Sequence, residues 1–151
     1  MGILDLLNKE SLSAEERLEL LDEMYWGDWN ILIEEDSEKV NELLEFLRKG
    51  EFSLEEISLI QKLYSNPDGA LTYEFSEIII DLYRKDKGRF FKALALNPEE
   101  SENIAYVFRN NKVFESSGKE LREVLENYEL TLDESSVVEI FFLNYEQLCS
   151  T

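Results

Sequence analysis

Histidine is absent from the 151 residues of this chain, and cysteine occurs once, at Cys149. Without histidine the chain has no Ser-His or Cys-His nucleophile pair, no histidine general base and no histidine metal ligand. One cysteine excludes an intramolecular disulfide. The glycine-rich phosphate loops of common nucleotide-binding folds are missing as well. We therefore expect a protein that is not an enzyme and that holds no cofactor or metal.

Long apolar runs are also lacking. None exceeds five residues, as at 104–108, whereas a membrane-spanning helix needs about 20. The first cation is Lys9, so the N-terminus lacks the basic start of a signal peptide. These features predict a soluble, cytoplasmic protein without a membrane partner.

Basic residues are scarce: 15 Lys and Arg face 34 Asp and Glu, which gives a net charge of −19. A field of that sign repels nucleic acids and anionic lipids and attracts basic proteins. The charge could equally serve solubility alone. The hydrophobic fraction of 44%, with nine Phe, seven Tyr and two Trp, is enough to build a folded core.

Helical spacing of apolar residues dominates the pattern. Ser13 with Glu16 and Ser53 with Glu56 have the spacing of capping boxes. Eight helical segments are predicted, with approximate bounds 13–25, 37–49, 53–64, 70–85, 90–94, 97–108, 119–128 and 133–148. Residues 29–33 could instead form a short strand, because Trp29, Ile31 and Ile33 stand at alternate positions. Residues 137–143 could also be extended, because they are rich in β-branched and aromatic residues.

The helices and their connections are short, and no linker rich in Gly, Pro or Ser divides the chain. We predict an all-α single domain over residues 1–151, with seven to eight short helices packed as antiparallel pairs. The arrangement would be an irregular bundle or a small stack resembling HEAT repeats. No residue pattern recurs at the fixed period of a helical repeat.

The segment 64–75 resembles an EF-hand calcium loop. Asn66, Asp68 and Gly69 match its third, fifth and sixth positions, and an apolar residue follows at the eighth. Tyr64 stands where the first Asp ligand belongs, and Phe75 replaces the bidentate Glu at position twelve. With both of those ligands missing, we interpret the segment as a joint between two helices, formed by Pro67 and Gly69.

An acidic segment between Glu10 and Glu38 is the strongest candidate for a binding surface. It contains eleven acidic residues and a single base, Arg17. Exposed aromatic side chains within an acidic surround suit a basic partner, because rings provide contact area and carboxylates steer the encounter. The predicted partner-binding residues are Tyr25, Trp26, Asp28, Trp29, Glu34, Glu35 and Asp36. The alternative is that the aromatic residues belong to the core and the acids form a solvated face.

A basic stretch, residues 84–92, has five bases and one acid. It could contact phosphate or an acidic partner. It could also pair with neighbouring glutamates and complement the dipole of the helix that precedes it. We favour this structural role.

The function predicted from these features is that of an acidic, non-catalytic protein-interaction module. Its concrete form would be an immunity or antitoxin-like inhibitor that covers a basic partner protein. Three alternatives are a helical adaptor that binds peptides in an apolar groove, a DNA mimic, and a small carboxylate-based hydrolase.

Overall fold

The computed structural model describes residues 2–149, and every regular element within them is helical, which confirms the all-α class. Ten α-helices are present among these residues, together with two 3-10 turns at Leu63–Ser65 and Pro98–Glu100. The helices are α1 (Ile3–Leu7), α2 (Ala14–Trp26), α3 (Trp29–Glu35), α4 (Ser37–Lys49), α5 (Leu54–Ile60), α6 (Thr72–Lys85), α7 (Lys87–Leu94), α8 (Ser101–Asn110), α9 (Ser117–Asn127) and α10 (Leu132–Cys149).

The count of seven to eight helices was low because α1 and α3 were missed. Each is short, five and seven residues respectively. The extended alternative for 29–33 is wrong: the Asp28 carboxylate accepts a hydrogen bond from the Ile31 backbone N–H and starts a helix there. Such a short helix shows too few turns for its periodicity to be distinguished from alternation.

The chain forms two compact units, Met1–Ile79 and Ile80–Thr151, and the boundary falls inside the continuous helix α6. In the first unit α2 packs against α1 and α5, and α3 packs against α4. Its core is lined by apolar side chains from each of these helices, including Leu6, Leu20, Leu21, Met24, Trp29, Leu43, Leu47 and Ile60. The single domain over residues 1–151 stays a prediction.

A partly buried ion pair joins α2 to α5. Arg17 donates from Nε to Glu56 Oε2 at 2.6 Å, and a second guanidinium nitrogen donates to the Glu51 carbonyl oxygen at 3.0 Å. The guanidinium also lies 5.3 and 5.4 Å from the ring centroids of Phe46 and Phe52. Glu56 completes the capping box of α5 with Ser53, as its sequence spacing predicted. The only base of the acidic segment is therefore used inside the unit.

The second unit is organised around α10, which contacts α7, α8 and α9. Phe141, Phe142 and Tyr145 are buried on it, while Ile140 and Leu143 are exposed. That distribution is helical, so the extended alternative for 137–143 is wrong. Aromatic rings fill this core at centroid separations such as 5.3 Å between Phe108 and Phe141, and edge-to-face contacts dominate among them.

A close approach between α7 and the segment after α9 depends on Gly88. A Cβ atom at this position would lie 2.4 Å from Cδ1 of Tyr128, so any larger side chain would displace the ring. The glycine of the basic stretch thus serves packing.

None of the helices within residues 2–149 is both long and apolar enough to cross a membrane.

Candidate functional site

The acidic segment predicted from sequence lies mostly on the surface of the first unit. Eight of its eleven carboxylate residues are exposed. Trp26, at the end of α2, is 66% exposed, and its ring meets that of the half-buried Tyr25 edge to face at 4.8 Å between centroids. A large aromatic side chain thus stands in solvent among acids, as the binding hypothesis requires.

Trp29 does not belong to this surface. It is 1% exposed, its ring lies 5.7 Å from that of Phe75, and its indole N–H donates to the Met24 carbonyl oxygen at 3.1 Å. The expectation that both tryptophans face a partner is therefore corrected: Trp29 anchors the core and Trp26 alone is displayed.

The four predicted acids divide into two roles. Asp28 caps α3, and Asp36 caps α4 by accepting a hydrogen bond from the Lys39 backbone N–H at 3.2 Å. Glu34 and Glu35, on the last turn of α3, are exposed. We therefore assign Glu34 and Glu35 to the surface, and we assign Asp36 chiefly to the helix start.

The solvent-facing side of α2 extends the acidic surface. Glu15, Glu19, Asp22 and Trp26 are all exposed and recur at intervals of three or four residues, so they form one face of the helix. Trp26 follows Asp22 by one turn, which is about 6 Å along the axis. The aromatic ring and the carboxylates thus share a single surface, which we call the α2 acidic face.

A shallow groove lies beside this face, between α2 and α5. Its cavity has a volume of about 410 Å³ and is lined by Leu18, Glu19, Asp22, Glu55, Ser58 and Leu59. The lining combines two leucines with three carboxylates and contains no basic residue. Sequence reasoning missed this groove because it requires α5 to be placed beside α2. In the sequence, only the helical spacing of Leu18, Asp22 and Trp26 indicated that these residues share one side of α2.

The first unit carries most of the net charge. Residues 1–79 contain 20 acidic and 6 basic residues, a net of −14, against 14 and 9, a net of −5, for residues 80–151. Exposed apolar side chains occur in the same acidic segment, since Ile31 on α3 is 50% exposed and Ile33 is 37% exposed. The unit therefore offers both attraction for cations and apolar contact area.

The EF-hand-like segment uses its polar groups internally. The buried Asn66 donates its amide to the carbonyl oxygens of Tyr25 and Gly27 at 2.5 and 3.2 Å, and Asp68 accepts from the Asn30 backbone and side-chain nitrogens at 3.1 and 2.8 Å. Gly69 has a φ of +72°, which favours glycine. The segment thus secures the turn that presents Trp26.

The basic stretch is tied to glutamates of the second unit. Lys87 Nζ lies 2.6 Å from Glu120 Oε1, and Lys92 Nζ lies 3.0 Å from Glu134 Oε1. These ion pairs agree with the structural role that the sequence favoured for residues 84–92.

One cleft in the second unit is lined by three carboxylates, Glu115, Glu120 and Glu123, and a carboxylate-based hydrolase would need two. Its volume is about 520 Å³, and Tyr83, Lys87, Glu120 and Glu123 are among its lining residues. The buried Tyr83 hydroxyl donates to Glu120, whose carboxylate also pairs with Lys87.

The electrostatics of this cleft keep Tyr83, Lys87 and Glu120 in their ordinary charge states. Burial and the hydrogen bond to Glu120 raise the pKa of Tyr83. Burial alone would raise the pKa of Glu120, but the hydrogen bonds from Lys87 and Tyr83 lower it, and burial would lower the pKa of Lys87, but Glu120 raises it. A general acid needs the opposite shift at its carboxyl group. The arrangement is that of a structural ion pair capped by a phenol.

The capping role of Asp36 gives a testable separation from its neighbours. Asp36→Ala should lower the free energy of unfolding by about 1 kcal/mol, because α4 loses the side-chain acceptor for the Lys39 backbone N–H. Glu34→Ala and Glu35→Ala should leave it unchanged within experimental error. Urea denaturation followed by circular dichroism measures all three. Equal losses at the three positions would contradict the division of roles.

No protein-family model, curated protein or solved structure matches this chain.

Proposed function

We propose that this protein is an acidic interaction module that binds a basic partner protein through the α2 acidic face, which includes Trp26, and through the exposed side chains Ile31, Glu34 and Glu35 of α3. The observation that supports the proposal best is Trp26 itself, 66% exposed on a unit with a net charge of −14. Tryptophan is among the residues most enriched in binding hot spots.

The physical mechanism has two parts. The carboxylates attract a basic protein over distances of about a Debye length and raise its association rate, so binding should weaken as salt is added. Trp26 and Ile31 then supply apolar contact that slows dissociation. Inhibition of a basic toxin or nuclease by covering its positive surface is the specific role we favour. An immunity protein acts in this way.

The test uses the whole chain as bait in lysate of its source organism, washed at about 50 mM and about 500 mM salt to vary the screening length. The surface variant is Trp26→Ala combined with Glu34→Lys and Glu35→Lys. The control is Glu126→Lys combined with Glu129→Lys, which makes the same charge change at exposed positions of the second unit.

A basic protein retained by the wild type and the control, released by high salt and lost from the surface variant would support the proposal. A partner retained equally by both variants would show that another surface binds it. If no basic protein is captured at low salt, the proposal fails.

A further inference from the structure

We propose that the groove between α2 and α5 receives an arginine side chain from a basic segment of the partner. This inference rests on the proposed function and identifies the chemistry that the same surface recognises. The α2–α5 groove adjoins the α2 acidic face, because Glu19 and Asp22 belong to both. A partner that covers Trp26 therefore reaches the groove within one or two helical turns.

The groove has an apolar floor and an acidic rim. Leu18 and Leu59 are half-buried and provide the apolar surface, while Asp22 and Glu55 are exposed beside them. A side chain that matches this arrangement has an aliphatic stem and a cationic head, since such chains bury the stem and keep the charged end among polar groups. Arginine and lysine are the two residues with that architecture.

The polar groups that the groove presents are acceptors. Ser58 is 4% exposed and its hydroxyl donates to the Glu55 carbonyl oxygen at 2.7 Å, so this donor is already used within α5. The remaining side-chain polar groups of the lining are carboxylates. A ligand that carries several N–H donors and a positive charge complements them, whereas an anion or a neutral acceptor does not.

Arginine suits the site better than lysine. Its guanidinium is planar, is less strongly hydrated than an ammonium and can donate to two carboxylates at once. Its five donors suit a site that two carboxylates line from different helices, as Asp22 of α2 and Glu55 of α5 do. A second cation of the partner could then lie over the ring of Trp26, as cations do on exposed indoles.

The spacing along α2 constrains the partner. Leu18 precedes Trp26 by eight residues, or about 12 Å of helix, and Asp22 precedes it by about 6 Å. The two cations of the partner should therefore be roughly 6 to 12 Å apart. In an extended strand, which rises about 3.3 Å per residue, this corresponds to cations about two to four residues apart.

The test is a titration of the isotope-labelled full chain with an oligoarginine peptide at low salt, followed by backbone amide NMR. A peptide of the same length with citrulline in place of arginine is the uncharged control, and oligolysine compares the two cations. Binding to the groove should shift the amide signals of Leu18, Asp22, Glu55 and Leu59, with a smaller shift around Trp26. Citrulline should produce no such shift, and oligolysine should bind more weakly than oligoarginine.

Variants then test the side chains. Asp22→Asn with Glu55→Gln should weaken oligoarginine binding about tenfold, as expected when two close charge partners are removed. Glu126→Gln with Glu129→Gln removes the same charge from the second unit and should weaken binding less than about twofold, because distant exposed charges are screened. Both variants change exposed side chains, and circular dichroism verifies their folding.

The outcomes separate the two proposals. If the peptide shifts residues around Trp26 but not the groove, and both variants weaken binding equally, the groove assignment is overturned and the acidic interaction surface stands. Equal binding of oligolysine and oligoarginine overturns the choice of arginine. If neither peptide shifts any residue of the first unit at low salt, both the groove and the proposed function are overturned.

Discussion

Replacement of Trp29 by alanine should lower the free energy of unfolding by roughly 3 to 5 kcal/mol, the range for removing a large aromatic side chain from a core. The same change at Trp26 should leave it within about 0.5 kcal/mol, as at most surface positions. The contrast follows from burial, because Trp29 is 1% exposed and Trp26 is 66% exposed. The two positions lie three residues apart and form a matched pair.

Two contributions make Trp29 sensitive. Its ring packs against that of Phe75, with 5.7 Å between the ring centroids, so alanine would leave a cavity. Its indole N–H donates to the Met24 carbonyl oxygen. Phenylalanine would remove this bond, while the same oxygen keeps hydrogen bonds from Asn66 Nδ2 at 3.3 Å and from the Gly27 N–H at 3.4 Å. Trp29→Phe should therefore give an intermediate loss of about 1 to 2 kcal/mol, from the lost hydrogen bond and the smaller ring.

Chemical denaturation of Trp26→Ala, Trp29→Ala and Trp29→Phe, followed by circular dichroism, measures these differences. Fluorescence gives an independent check: the Trp29→Phe variant, whose remaining indole is Trp26, should be quenched readily by iodide or acrylamide. Equal losses for the two alanine variants would mean that Trp26 is also packed in the core. The proposed binding surface would then lose its aromatic anchor.

Much of the helical architecture followed from local chemistry. The capping boxes Ser13–Glu16 and Ser53–Glu56 form as their spacing predicted. The buried stripe of α4, with Val40, Leu43, Leu44 and Leu47, could be predicted because its apolar residues recur on one face over about two turns. In these helices the residues that set the start and the buried face lie within a few turns of one another, so the sequence alone predicts them.

The division between Trp26 and Trp29 could not be predicted in the same way. Gly27 and Asp28 interrupt the helix between them, and α3 begins with a new rotational phase. The periodicity of α2 therefore carries no information about which way Trp29 points. Asn66, distant in sequence, fixes that junction through the carbonyl oxygens of Tyr25 and Gly27.

Net charge likewise concealed the separate roles of the acids. Asp36 caps a helix, Glu56 holds Arg17, and Glu120 holds both Lys87 and Tyr83. These carboxylates contribute to the net charge of −19, but each is engaged in a hydrogen bond or ion pair that stabilises the fold. A partner can contact only the exposed carboxylates. These are distinguished from the structural carboxylates only by the way the helices pack.

Loss of the Arg17 guanidinium is the second change for which we expect a large effect. Arg17→Ala should lower the free energy of unfolding by about 2 kcal/mol, because removing the partly buried guanidinium leaves the Glu56 carboxylate without its charge partner. Glu56 is 7% exposed, so water can replace the lost partner only in part. The contacts of the guanidinium with Phe46 and Phe52 are lost as well.

The pH dependence of stability tests the same pair. Burial alone would raise the pKa of Glu56, but the hydrogen bonds from Arg17 and the Ser53 backbone bring it below the ordinary value of 4.5. A carboxyl group whose pKa is lowered by folding stabilises the protein above its unfolded pKa, and this contribution is lost as the pH falls through the folded pKa. Stability of the wild type should therefore fall below about pH 4.5, and Arg17→Ala should flatten that part of the profile.

A double-mutant cycle isolates the charge from the packing. Arg17→Met with Glu56→Gln replaces both charges, and glutamine can still serve the capping box at its position, so the double variant should be more stable than Arg17→Met alone. Additive losses, with an unchanged acid profile, would mean that the pair is not coupled. Arg17 would then be an ordinary surface cation of the acidic segment, whose net charge of −10 already includes it.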